Sequence, residues 1–427
     1  MYLFFVRHFN DIDHIAPIVW KMSKDGYPVA VYCMNPRYDI HKDYRLLFLA
    51  KQGVKVDYIH NNFGQNLGRF HEFMHSLFRR SLDLERRLSS NDETQPLIQS
   101  RLFRQMPAIA GILLYKLTRR KFYDLTWAHN ILEKTEARAL CFDHVMPGLF
   151  VVDVFLKAAQ EISIPVLSLP HGIFLYTNEV TKPKSTDSRR FSKFDRFDYI
   201  IVPNQLRKEL LARSGVTKEK IFVLGSARYC SEWLHQNNKI TPRKIESSNS
   251  TAGKLKLVFM PSKPRCRIDV ERMHNTIDIL ASLSEIEAVV KPHTRTGREA
   301  YLFNNMPLPN VSRVHTPELC EWADVVLIIG SSVITEALMQ GKPVLYLKYL
   351  HENTMLFEEC GACWTIHDES ELEQALQSLQ VKKMEVPYSD ENVNRYLSEV
   401  VYGGENTRDV LRDYVQFIVN CKVNLRD

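Results

Sequence analysis

Long apolar runs are what this 427-residue sequence most plainly lacks. The longest candidate, residues 106–117, carries Pro107 and Lys116 and falls far short of the roughly 20 residues that a membrane-spanning helix needs. No span is expected. Residues 1–6 are apolar but run straight into Arg7, His8 and Asn10. With no basic leader, long apolar core or cleavage site, they predict a strand rather than a signal peptide. A paired-cysteine framework is missing too. The eight cysteines are scattered, as befits reduced thiols in a cytoplasm. Cys360 and Cys363 make a lone CxxC with no second pair and no histidine pair nearby, which favours packing at a strand edge over zinc. A large excess of one charge sign is missing as well. A net +6 suits an anionic substrate or a contact with anionic lipid, is too small to imply nucleic acid, and comes with no RNA-binding motif. Contents of 45% hydrophobic and 25% charged residues exclude extended disorder and fibrous repeats.

What is present is one grammar, repeated: a β-rich apolar run, a loop, then a helical spacing. Residues 1–6, 28–33 and 54–59 read as strands, with helices over 13–25 and 44–52 that stop at Gly26 and Gly53. The pattern resumes with strands at 139–143, 165–169, 199–202 and 221–224. Alternation of this kind means βαβ units and a parallel sheet covered on both faces. Residues 65–137 interrupt it as a helix-rich, basic insertion. In its stretch 69–123, Arg79, Arg80, Arg86, Arg87, Arg119 and Arg120 are interleaved with Phe, Leu and Tyr. That stretch is either a helical insertion with a solvated basic face or a dock for a lipid-linked acceptor at the inner membrane surface. Residues 237–254, rich in Ser, Asn, Thr and Lys, predict a linker between an N-terminal half (1–236) and a C-terminal half (255–427). In the second half 255–260, 287–290, 311–314, 325–329 and 344–347 read as strands. The expectation is an α/β fold of two Rossmann-like, doubly wound halves, with chemistry in the cleft at the carboxyl ends of the strands.

The most informative segment runs from Asp324 through Gly330, Ser331, Ser332 and Glu336 to Gly341, Lys342 and Pro343. A buried strand ends at Gly330 and a helix starts at once. Ser331 and Ser332 then sit at the helix N-terminus, where free N–H groups and hydroxyls hold a phosphate. Glu336, one turn on, reaches back toward ribose hydroxyls. The competing account is a serine pair that only caps the helix, with Glu336 supporting the cap. At the end of an earlier strand, Lys291 and His293 bring positive charge and a donor to a phosphate leaving group, unless both are merely solvated loop residues. No DxD metal motif is present.

The strand–Gly–Ser–Ser–helix–Gly–Lys–Pro unit resembles the nucleotide-binding half of GT-B glycosyltransferases and of the related UDP-N-acetylglucosamine 2-epimerases. The serine doublet is similar to that of bacterial sialyltransferases, Kdo transferases and CDP-glycerol polymerases. The segment Lys291, Pro292, His293 stands where those enzymes carry a His-Pro motif, with Thr294 replacing the usual proline. The resemblance is strongest over 255–365. It implies a GT-B fold with the last helix packing back on the N-terminal half. It also implies an enzyme, cytoplasmic or peripheral at the inner membrane, that moves a sugar from CMP-Kdo, CMP-sialic acid or a UDP-sugar onto a glycan or lipid-linked acceptor of capsule, lipopolysaccharide or O-antigen. No cofactor and no metal are expected, because basic side chains and helix dipoles replace the ion. The alternatives are a 2-epimerase and a CDP-glycerol-type polyol phosphate transferase. His351, Glu352 and Asn353 echo an epimerase segment only faintly.

Further candidates follow from the same resemblance. Ser262, Lys263 and Arg265, after the first strand of the second half, lie in a loop that touches donor phosphates in the family. Leu224, Gly225, Ser226, Ala227 and Arg228 resemble a turn that closes the N-terminal half, so Arg228 faces the cleft or makes an interdomain ion pair. Pro170, His171 and Gly172 resemble the His-Gly turn of capsule-type transferases, and His171 there serves as a donor or base at the acceptor. A displacement reaction needs a group to deprotonate the acceptor hydroxyl. Asp11 and His171 rank first for it. Asp13 and His14 are rivals, Asp13 doubling as a candidate N-cap, and Asp143 with His144 is a further pair.

Overall fold

The computed structural model describes residues 1–36, 38–62, 123–144, 151–178, 193–245, 253–262, 268–293, 302–303, 306–381 and 385–422. Lys263, Arg265, residues 69–122 of the basic segment and residues 246–252 of the expected linker lie outside that set.

Seven strands form the first sheet: β1 (Tyr2–Val6), β2 (Val29–Cys33), β3 (Lys55–Tyr58), β4 (Ala139–Asp143), β5 (Val166–Leu169), β6 (Tyr199–Val202) and β7 (Ile221–Val223). Their order is β3-β2-β1-β4-β5-β6-β7, every pairing parallel. Parallel strands must be joined by crossovers on the faces, so the central ones are covered on both sides. Consistent with that, β1 and β4 are buried along their whole length. The crossovers are α1 (Phe9–Lys24), α2 (Tyr44–Lys51), α3 (Leu125–Lys134), α4 (Val152–Glu161) and α5 (Gln205–Arg213), and α6 (Ser231–Ile240) leads out of the sheet. Asn237 and the three residues after it, expected in the linker, therefore form the last turn of α6, where Tyr44 Oη donates to Asn237 Oδ1 at 3.1 Å.

The second sheet holds β8 (Leu255–Met260), β9 (Ile286–Val290), β10 (Val325–Ile328), β11 (Val344–Leu347) and β12 (Trp364–Ile366), in the parallel order β12-β11-β10-β8-β9. Its helices are α7 (Val270–Ser282), α8 (Thr316–Trp322), α9 (Val333–Met339), α10 (Leu356–Glu359), α11 (Glu369–Val381) and α12 (Asp390–Val400), followed by α13 (Val410–Asn420). One expected strand is replaced by another. Residues 311–314 are not a strand: past the edge strand β9 the chain makes a single bridge, Val290 to Asn310, and then turns. The fifth strand is β12 instead, laid on β11. Cys360 and Cys363 are buried free thiols just ahead of it, at a sheet edge.

The chain end returns to the first sheet. Tyr414 Oη, on α13, donates to Gly225 O at 2.9 Å, and the Phe417 ring sits 5.3 Å from Tyr199 and 4.9 Å from Phe222. The approach is close: Gly225 has φ +81°, and a Cβ there would stand 2.3 Å from Val401 O. The two halves also meet across the cleft. Leu356 N donates to Leu175 O at 2.8 Å and Thr177 N to Thr354 O at 3.1 Å, which stitches the loop after β5 to the loop before α10. No described helix is long and apolar enough to cross a membrane.

Candidate active site

In a doubly wound sheet the strand order reverses at one point, and the loops there diverge to leave a crevice. In the first sheet that point lies between β1 and β4. Arg7 follows β1, Asp143 ends β4, and His171 follows β5 by two residues. All three come together. Arg7 Nε donates to Asp11 Oδ2 at 2.8 Å, and its Nη2 donates to Asp11 Oδ1 at 3.2 Å and also to Asp143 Oδ2. His171 Nδ1 lies 2.9 Å from Asp143 Oδ2 and 3.4 Å from Asp11 Oδ1. Asn10 braces the loop, its Nδ2 donating to His171 O at 2.8 Å and standing 3.3 Å from His171 Nε2. His8 Nδ1 is 3.1 Å from Asp11 Oδ1.

The local sequence explains Asp11. Helix α1 begins at Phe9, with His8 as N-cap, four residues earlier than the periodicity indicates. Asp11 thus falls in the first turn, where its Oδ2 accepts the Arg7 backbone N–H at 2.8 Å and its charge is favoured by the helix N-terminus. Asp13 is consequently not an N-cap. It lies inside α1, ion-paired with Arg45 and, at 3.0 Å, with Arg228. A carboxylate held by two guanidinium groups is a poor base. His14 is buried within the same helix, and burial pushes its pKa well below the usual value, with Arg228 and His171 adding repulsion. Of the first-loop candidates only Asp11 touches His171.

The charges of the cluster are coupled. Burial would raise Asp11, but His171 and Arg7 hold it well below the usual carboxylate range. Asp143 is pushed up to about 6 by burial and by Asp11, against the pull of His171 and Arg7. Burial lowers His171, yet Asp11 and Asp143 more than reverse this and carry it up to about 9. The shorter contact is to Asp143, so Asp143 is the hydrogen-bond partner and Asp11 adds charge. With Nδ1–H held by a carboxylate, the neutral ring keeps its lone pair on Nε2, where Asn10 Nδ2 now stands at 3.3 Å; an acceptor hydroxyl that takes the place of that amide meets the orientation that a general base requires. Asp11, Asp143 and His171 also offer three ligand atoms within 4.8 Å of one another, a set that fits a divalent ion. Arg7 already bonds both carboxylates, so an ion would have to displace a buried guanidinium.

The second sheet reverses between β8 and β10, and Ser262 and the Gly330–Ser332 turn lie there. Ser262 Oγ donates to Ile329 O, so it ties the two loops together rather than facing outward. Gly330 has φ +52°, and a Cβ there would stand 3.2 Å from the His351 ring. Ser331 Oγ accepts from Val333 N at 3.3 Å, and Ser332 Oγ lies 3.4 Å from Tyr229 Oη across the cleft. Glu336 is fully buried, with Oε1 unpartnered; burial raises its pKa, and Arg228 and Lys291 counter that. It lines a pinched cavity of about 30 Å³ between the halves, shared with Phe9, Asp13, Tyr44, Arg228 and His315. Lys291 is committed to the turn beyond β9. Its Nζ donates to Val314 O and lies 3.4 Å from Ser312 O, so it anchors the segment expected as a strand, and burial lowers its pKa to about 8. His293 stands half-buried three residues past β9.

Sequence reasoning missed Arg7 and Asn10 as parts of the cluster, and placed Asp143 below Asp11. The one signal for Arg7 was a cation directly after the first buried strand.

No family model matches the sequence, and no curated protein matches it. The fold, however, is shared with known structures. A UDP-GlcNAc 2-epimerase from Methanocaldococcus jannaschii superposes with a TM-score of 0.52 at 14% identity, covering 92% of this chain and 97% of that one. HepE of Anabaena, solved with UDP-glucose, gives 0.53 at 11% identity, covering 98% and 99%. The wall teichoic acid polymerase TagF gives 0.52 at 14% identity, covering 98% and 88%. The chain has the GT-B fold.

Proposed function

We propose that this protein is a sugar-nucleotide enzyme that transfers a glycosyl unit to a glycan or lipid-linked acceptor in surface-polysaccharide assembly, by direct displacement and without a resident metal. The observation that carries the reading is the Asp143–His171 pair at the first sheet's switch point, buried on the carboxylate side and open on the ring side. In the reaction the acceptor hydroxyl gives its proton to Nε2 of neutral His171. Its oxygen forms the new bond to the anomeric carbon while the carbon–oxygen bond to the phosphate breaks. The bonding pair leaves with the nucleotide. Asp143 stabilises the imidazolium, which later returns the proton to solvent. The donor phosphate rests at the Gly330–Ser332 turn, where main-chain N–H groups and the start of α9 favour negative charge. Glu336 takes the ribose hydroxyls. The cavity beside Glu336 is far smaller than the roughly 300 Å³ or more of a ligand site, so the halves part to admit the donor.

A 2-epimerase acting in the same cleft is the second reading, favoured by the shared fold with such enzymes. Melting curves with CMP, CDP, UDP, GDP and ADP test the common ground. A nucleotide at about 100 times its Kd stabilises the native state by about 2.7 kcal/mol. If none of the five raises the melting temperature, the sugar-nucleotide reading is wrong. Product analysis with the preferred activated sugar then separates the readings: an epimerised donor formed without acceptor selects the epimerase.

A further inference from the structure

On the far side of His171 the loop after β5 roofs a second cavity, of about 190 Å³. Its walls are largely apolar, from Pro170, Ile173, Phe174, Ile201 and Pro203; its polar side chains are His144, His171 and Arg207. Among the described residues that line it, none is acidic. The geometry around Arg207 is built rather than incidental. Asn204 caps α5 by accepting the Arg207 N–H at 3.0 Å, and the same Asn204 donates through Nδ2 to Phe174 O at 3.2 Å, which locks roof to floor. The guanidinium lies over the Phe174 ring, 5.7 Å from its centre. Its Nη2 stands 3.2 Å from His144 Nε2. His144 is in turn stacked on Phe194, with centroids 4.1 Å apart and planes at 11°. That stacking fixes the imidazole, and burial keeps it neutral, so His144 accepts from Arg207 and orients it.

The cavity is therefore lined by one fixed guanidinium and by the base His171, with walls that are otherwise largely apolar. Its volume lies below the roughly 300–1,000 Å³ of drug-sized sites, which limits it to about one sugar ring. An apolar floor suits the C–H face of a pyranose. A guanidinium suits a carboxylate or phosphate, which it binds through two parallel hydrogen bonds. We propose that this cavity is the acceptor subsite, and that the acceptor's reacting unit is an anionic monosaccharide whose carboxylate or phosphate pairs with Arg207 while a hydroxyl meets His171. The assignment rests on the transfer reading of His171.

Saturation-transfer NMR on the full chain tests it by binding alone, with methyl glucuronide and glucose 6-phosphate as charged probes, methyl glucoside as the neutral probe and inorganic phosphate as the bare anion. Both charged sugars, or one of them, should bind about tenfold more tightly than the glucoside, the discrimination expected of one charge-assisted contact. Whichever binds names the anion. Arg207→Gln should remove that preference, and Arg207→Lys should keep part of it. Should Arg207→Gln fail to fold, Ile173→Trp fills the cavity from its roof and should abolish binding of both sugars. Equal binding of the glucoside by the wild type overturns the proposal. So does a folded Arg207→Gln or Ile173→Trp protein that retains the preference, or inorganic phosphate binding as tightly as the charged sugars. His171→Asn distinguishes this proposal from the transfer reading. If it loses turnover and keeps the charged sugar, both stand. If its turnover is unchanged, the base assignment falls, while the binding result still decides the subsite.

Discussion

Replacing Asp143 by Asn removes the charge on which the His171 argument depends, at nearly constant shape. The His171 ring sits 2.9 Å from Asp143 and 3.4 Å from Asp11, and its pKa stands at about 9 against an ordinary 6.5. A difference of about 2.5 units at 1.36 kcal/mol each is roughly 3 kcal/mol of preference for the folded, protonated form. The ring is about one-third exposed, so solvent screening reduces this to on the order of 2 kcal/mol. The sign follows from proton counting. Between about pH 6.5 and 9 the folded state binds more protons at His171 than the unfolded chain does, so wild-type stability is full below pH 6.5 and declines as pH rises through 9. Asp143 titrates lower, between its ordinary value and about 6, and does not obscure that window. In Asp143→Asn the partner charge is gone but Asp11 remains, so His171 should titrate one to two units lower. Denaturant unfolding at pH 6.5 and pH 9 should then show a smaller loss of stability than in the wild type. NMR titration of the imidazole carbons reads the pKa directly. A ring that still titrates near 9 in a folded Asp143→Asn protein would refute the reasoning.

Three other outcomes are expected. If neutral His171 is the base, about one molecule in a hundred is competent at pH 7; kcat/KM should climb tenfold per pH unit and level off near pH 9, and a rate that falls over that range marks His171 as an acid instead. Glu336→Gln relieves a buried carboxylate with an unpartnered oxygen, so it should leave the melting temperature unchanged or higher while weakening nucleotide binding about tenfold or more by calorimetry. Gly225→Ala forces a Cβ against Val401 O from a left-handed backbone; the conformation alone costs about 1–2 kcal/mol, and with the clash unfolding should show a loss of ~3 kcal/mol or more.

The strands most plainly legible in the sequence are those buried on both faces, because a parallel strand between two helix layers must be apolar at every position. β1, β4 and β10 are of that kind. The errors lie where burial is partial. Residues 311–314 read as a strand because of their two valines, yet Val311 and Val314 pack inward with Ser312 and Arg313 both exposed between them, which is a turn's spacing and not a strand's, and the one bridge to β9 is made by Asn310 just before them. β12 is three residues long and half-buried at its start, too little pattern to stand out. The active-site candidates divide the same way. Asp11 and His171 could be named from their loops. Their meeting with Arg7 and Asp143 could not, since it depends on β1, β4 and β5 lying side by side, and the Arg7–Asp143 contact joins residues 136 positions apart. Lys291 shows the converse: its place at a strand end suggests a phosphate ligand, while its side chain is taken up by the carbonyls of a neighbouring turn.

Arg7 explains why the cluster can act at all. Two buried carboxylates this close would ordinarily share one proton, since neither charge is well solvated. The guanidinium between Asp11 and Asp143 supplies one positive charge against their two negative ones. With His171 neutral, this core of four side chains carries one net negative charge, its two carboxylates fully buried; with His171 protonated it carries none. Taking a proton from an acceptor hydroxyl thus moves the buried group toward neutrality, and that electrostatic relief is the source of the raised histidine pKa. It also fixes the direction of any change. Loss of Arg7 should leave a surplus of buried negative charge, drive Asp143 to protonate and remove the ring's hydrogen-bond acceptor, whereas loss of either carboxylate should weaken the base without disordering it. The arginine thus works with the histidine itself: His171 is the larger pull toward ionisation on both carboxylates, and Arg7 adds to it from the side away from solvent.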